Sequence, residues 1–97
     1  MDSGIFSFCQ VANFNKIALD AKQIMHEFGN EDGSIDEVNL LKAMKSCGFK
    51  AKAINLKIHQ INPRVLPIIL QNKDGEYFTL IGIRDDKFLI SKYIDDR

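Results

Sequence analysis

Thiol chemistry is the first reaction type that the residue inventory admits. A cysteine nucleophile needs a thiolate and a base within reach, and the chain offers Cys9, Cys47, His26 and His59 for those parts. Both cysteines fall on the apolar stripes of helix-like segments, where cysteine behaves as a small, inert hydrophobe. His26 follows Met25 on a short amphipathic stretch and His59 lies between Ile58 and Gln60, placements typical of surface histidines. Neither histidine is assigned a role. The same four groups lack the CxxC spacing of a zinc site. Asn30-Glu31-Asp32-Gly33-Ser34-Ile35 places Gly and Ile as an EF-hand loop does, but in that register the first ligand position is Phe28 and the twelfth is Asn39. Calcium is thereby excluded, and a turn before a capped helix accounts for the segment. No metal site and no cofactor are predicted.

The elements that must position any site follow from periodicity. Ile5, Phe8, Cys9 and Ala12 recur at helical spacing, so residues 3 to about 14 are expected to be a first helix, ended by Asn13 and Asn15. Asp20 caps a second helix running through Ile24 and Met25 to Phe28, with Gly29 as its stop. Ser34 or Asp36 caps a third, with Val38, Leu40, Leu41, Met44 and Cys47 as its apolar stripe and Gly48 at its end. Beyond Gly48 the alternation of Phe49, Ala51, Ala53 and Asn55 with Lys50, Lys52 and Ile54 predicts a strand. A turn through Ile58 and Ile61 reaches the Asn62-Pro63 breaker. Pro67 to Gln71, the Lys73-Asp74-Gly75 turn, Tyr77 to Ile83 and Phe88 to Tyr93 then read as an antiparallel meander. Helices first and strands second is an α+β layout.

Composition narrows the function. The 97 residues suit one domain, 1–97, and 45% hydrophobic with 27% charged residues is ordinary globular usage. Thirteen basic and thirteen acidic side chains give a formal net charge of zero, so no global field favours nucleic acid. Three helices and a hairpin match the order of a winged-helix DNA binder. The third helix, however, carries Asp36, Glu37, Lys42 and Lys45 and lacks an Arg-rich face. The apolar run Val65 to Leu70 is far too short to span a bilayer, and a soluble, cytosolic domain is expected.

Taken with its spacings, the chain resembles the N-terminal peptidase-like domain of type I secretion ABC transporters, related to the bacteriocin-processing cysteine peptidases that cleave after a double-glycine leader. Members open a long helix on Asp-Cys-Gly, which matches Asp2-Ser3-Gly4. Leu40-Leu41-Lys42-Ala43 through Gly48-Phe49-Lys50-Ala51 is similar to the family's third helix and its exit. Leu66-Pro67-Ile68-Ile69 and Asp74-Gly75-Glu76-Tyr77-Phe78 are similar to its Leu-Pro strand and the Asp-Gly turn before His-Phe. The resemblance implies a papain-like cysteine peptidase fold, with three N-terminal helices packed on a C-terminal antiparallel sheet.

On those positions the resemblance places Ser3 at the nucleophile, Tyr77 at the base and Lys92, give or take one residue, at the orienting acid. It therefore implies no catalysis. Ile61 to Pro67 is similar to the exporters of RTX-type adhesins and toxins. The implied role is a recruitment domain, part of a larger exporter at the cytoplasmic side of the bacterial inner membrane. It would hold an unfolded secreted passenger beside the transporter's membrane and ATPase domains. Ser3, Phe6, Tyr77 and Tyr93 are the expected contact residues. The aromatic residues as a group, Phe6, Phe8, Phe14, Tyr77, Phe78, Phe88 and Tyr93, are expected to be mostly core. Two alternatives stay open: a peptidase with displaced residues such as Cys9 or Cys47 with His59, and a regulatory domain contacting the transporter ATPase.

Overall fold

A computed structural model describes residues 2–51, 53–54, 60–85 and 87–92. Helices α1 (Ser3–Phe14), α2 (Ala21–Phe28) and α3 (Glu37–Ser46) precede a 3₁₀ turn (Pro63–Val65) and strands β1 (Ile68–Gln71), β2 (Tyr77–Arg84) and β3 (Lys87–Ser91). The strands form one antiparallel sheet in the order β1-β2-β3. A register shift between Leu80 and Gly82 bulges β2 against β3.

Short side chains start each helix. Asp2 accepts from the Gly4 and Ile5 amides at 2.7 and 3.3 Å, Asp20 from Lys22 and Gln23 at 3.0 and 3.3 Å, and Asp36 from Asn39 at 2.9 Å. Ser34 is no cap. Its hydroxyl and amide both donate to Asp32 within the Asn30–Ser34 turn. At the end of α3 the Gly48 amide bonds to the Lys45 carbonyl at 3.1 Å and the Phe49 amide to that of Met44 at 3.0 Å. With Gly48 at φ +90 this is a Schellman closure, a conformation that a β-carbon would strain.

That closure corrects the strand expected over residues 49–55. The described part of the stretch, 49–51 and 53–54, carries no strand. The Phe49 amide is spent on ending α3, and its ring stands edge-on to Phe8 with centroids 5.5 Å apart. Residues 52, 55 and 58 lie outside the described residues. Val38 also departs from expectation, being 62% exposed. Leu40, Ala43, Met44 and Cys47 lie within a narrow arc of α3, and Val38 falls about 160° from Leu40 at 100° per residue.

Ile5, Phe8, Ile24, Ile35, Leu40 and Ala43 make the core between the helices, with Ile69 and Tyr77 bringing the sheet against it. Thr79 and Leu80 are both buried, so β2 is covered on both faces at that level. The aromatic expectation holds for Phe8 alone as a fully buried side chain. Phe6, Tyr77 and Phe78 are half-buried, and Phe14 and Phe88 are exposed because they sit at the end of α1 and on the edge strand.

Candidate functional site

The first turn of α1 and the first residue of β2 meet at one point. Asp2 fixes that turn twice over: its Oδ1 caps the helix, and its Oδ2 accepts from the Ile35 amide at 3.2 Å, binding the entry of α1 to the segment that leads into α3. Ser3 then presents its hydroxyl to the sheet, where the Tyr77 amide donates to Ser3 Oγ at 2.9 Å. Gly4 lets the elements close up. A β-carbon there would lie 3.0 Å from Asp2 Oδ1, 3.1 Å from Leu40 Cδ2 and 3.2 Å from Tyr77 Cδ2.

Two of the residues singled out in the sequence, Ser3 and Tyr77, are therefore brought into contact. Phe6 lies one helical turn on, half-buried. Lys92 sits beyond β3 with Nζ 4.0 Å from Glu76 Oε1, both side chains about half exposed. Tyr93 lies outside the described residues. The Tyr77 phenol is pushed above its ordinary value, chiefly by burial and then by the negative charges of Glu37, Asp2 and Asp36. A neutral phenol donates a hydrogen bond and has no basic lone pair to take the Ser3 proton at neutral pH.

The Cys9 thiol is held the other way from a nucleophile. Burial raises the Cys9 thiol, and the neighbouring Cys47 and Asp20 raise it further. Activation requires the opposite shift. Both cysteines are half-buried and free, and both pack against the helical core. His26 is exposed on α2, and His59 lies outside the described residues.

One feature of the site escaped the sequence reading. Ser3, Ser7 and Gln10 recur at i, i+4 and i+7, a polar seam on an otherwise apolar helix, and it faces the sheet. Gln10 Nε2 donates to Ser91 Oγ at 2.6 Å, while Ser91 stands opposite Thr79 in the β2–β3 register. Ser7 Oγ, Gln10 Oε1 and Thr79 Oγ1 are buried there with no partner among the described residues. The 3.6-residue spacing of the seam was the available signal, masked by the stronger apolar stripe beside it. Asp2 was also missed as a cap, although an Asp directly before an apolar helical period is a start signal.

Comparison with known proteins completes the description. The sequence profile of the peptidase C39 family matches residues 1–94. The Toxin RTX-I translocation ATP-binding protein of Actinobacillus pleuropneumoniae is 30% identical over 91 residues, covering 92% of this chain and 13% of that protein. The exotoxin translocation ATP-binding protein PaxB of Pasteurella aerogenes is 32% identical with the same coverage. The chain thus spans about an eighth of the length of these curated relatives. A crystal structure of the N-terminal peptidase C39 like domain of the toxin secretion ATP-binding protein from Vibrio parahaemolyticus superposes with a TM-score of 0.85 at 21% identity. The match covers 95% of this chain and 75% of that one. The fold is accordingly the α+β, papain-like peptidase arrangement of three helices on an antiparallel sheet.

Proposed function

Because this chain belongs to the peptidase C39 family, we propose that it serves as a non-catalytic recruitment domain of a type I secretion ABC exporter, holding an unfolded RTX-type passenger on the cytosolic side. The observation that carries this reading is the contact of Ser3 with Tyr77. At the N-terminus of α1, where the helix dipole favours an anion, stands a serine hydroxyl that accepts from the Tyr77 backbone amide. The ring of the same Tyr77, whose phenol is raised and so protonated at neutral pH, lies against the next residue, Gly4. Lys92 leans on Glu76 and is no carboxylate, so it cannot orient a base. Such a set can bind peptide groups by hydrogen bonding, and it lacks the proton acceptor that acyl transfer requires. A raised Cys9 thiol likewise speaks against a displaced cysteine nucleophile.

The relatives named as toxin translocation proteins support the exporter setting. In this reading residues 1–97 are one domain of a longer transporter, working without a cofactor. Its partners are the passenger and the transporter's own membrane and ATPase domains. No helix among the described residues is long and apolar enough to cross a membrane. Ser3, Phe6 and Tyr77 form the expected contact surface, with Tyr93 of the sequence as a further candidate.

The test is an NMR titration of the chain with the C-terminal repeat region of the passenger, calcium-free and unfolded, then calcium-loaded and folded. Saturable shifts with the unfolded form alone support recruitment. No shifts with either form would overturn it and favour a regulatory contact within the transporter.

A further inference from the structure

The edge strand β3 is the least covered apolar segment among the described residues. Phe88, Leu89 and Ile90 are consecutive and 42%, 63% and 49% exposed, so both faces of the strand are open. As the last strand in the order β1-β2-β3, it has only β2 as a neighbour among the described residues. An open edge presents unpaired amides and carbonyls. The opposite edge is different: Ile68, Ile69 and Leu70 of β1 are half-buried, Ile69 packs on the core, and Pro67, which lacks an N–H, precedes the strand.

We propose that β3 takes up an extended segment of the unfolded passenger as an added parallel strand, one that carries a carboxylate two residues before an apolar side chain. This rests on the recruitment reading and assigns it a surface away from Ser3. Lys87 and Leu89 share one face of β3, two residues apart. A parallel strand in register sets its apolar residue opposite Leu89 and its carboxylate opposite Lys87, a complementary cross-strand pair. The calcium-binding nonapeptide repeat of RTX-type proteins, Gly-Gly-x-Gly-x-Asp-x-apolar-x, has that spacing, and without calcium it is an extended chain with unpaired backbone. Asp85 lies in the turn beyond Lys87, outside the strand. The far end of β3 is anchored, because Ser91 Oγ accepts from Gln10 of α1 at 2.6 Å, and a pre-set edge loses little freedom on binding.

The experiment uses a synthetic peptide of two such repeats in calcium-free buffer, its alternate-N-methylated form, and the complete unfolded repeat region, each titrated into the chain and into the variants Leu89→Glu and Lys87→Glu. Expected are shifts concentrated on the amides of residues 87–91, a loss of affinity of about tenfold or more in either variant, and no binding of the N-methylated peptide. If the unfolded repeat region binds the unaltered chain and both variants equally, or if the N-methylated peptide binds as well as its parent, strand addition is overturned while recruitment stands. If nothing binds the unaltered chain, both fall. If sedimentation shows that β3 is covered by a second copy at the titration concentrations, released by Leu89→Glu, the occupant is the chain itself and the proposal is overturned.

Discussion

The backbone amide of Tyr77 donates to the hydroxyl of Ser3 at 2.9 Å, across 74 positions of sequence. That one bond ties the first turn of α1 to the first residue of β2 and uses the Ser3 oxygen as a structural acceptor. A thiol at the same place accepts more weakly, and on the recruitment reading it still lacks a base. The variant Ser3→Cys is expected to show no cleavage of a double-glycine leader peptide by mass spectrometry. Detectable turnover would mean that another group supplies the base.

Asp2 is worth more than an ordinary cap because its second oxygen holds the Ile35 amide. Asp2→Ala is expected to reduce stability by about 2 kcal/mol, the upper end for a capping residue, read as a lowered urea midpoint. An unchanged midpoint would show that the tether to Ile35 is not maintained in solution.

Stability should fall with alkali. The Tyr77 phenol and Cys9 thiol are both raised in the folded chain, first by burial. The folded state therefore holds these protons to higher pH than the unfolded state does, and the stability they contribute is present below the ordinary values and lost as pH rises through the folded ones. The decline should begin near pH 9 for the thiol and continue beyond about pH 10 for the phenol. Urea midpoints of Cys9→Ala and Tyr77→Phe should show a flatter alkaline limb than the unaltered chain.

Thr79 buries a hydroxyl with no partner among the described residues. Thr79→Val keeps the shape and removes the unmet group, so it is expected to leave stability unchanged or raise it by up to about 1 kcal/mol. A loss of more than that in chemical denaturation would reveal a hydrogen bond made by Thr79 in solution.

Much of the fold was legible because local signals and tertiary packing agree. Asp20 and Asp36 cap the helices they precede, and the Lys73-Asp74-Gly75 turn joins β1 to β2. Failures came where the three-dimensional arrangement overrode a local pattern. Phe49 looks like the start of an alternating strand, yet its amide closes α3 and its ring belongs to the helical core. Val38 is apolar and near the stripe of α3 in sequence, but two residues of helix carry it to the opposite side. Ser3 and Tyr77 could be paired only through resemblance, because no periodicity relates two positions joined by a hydrogen bond across the whole domain.

Gly4 has a consequence for mutational tolerance. Asp2, Leu40 and Tyr77 crowd the place where its side chain would begin, so even a methyl group requires side chains of α3, β2 and the α1 cap to give way together. In a saturation library scored for soluble expression, position 4 should accept almost nothing, while position 3 should accept any small polar residue. A missing atom at one position can thus hold three elements together while the position before it tolerates exchange.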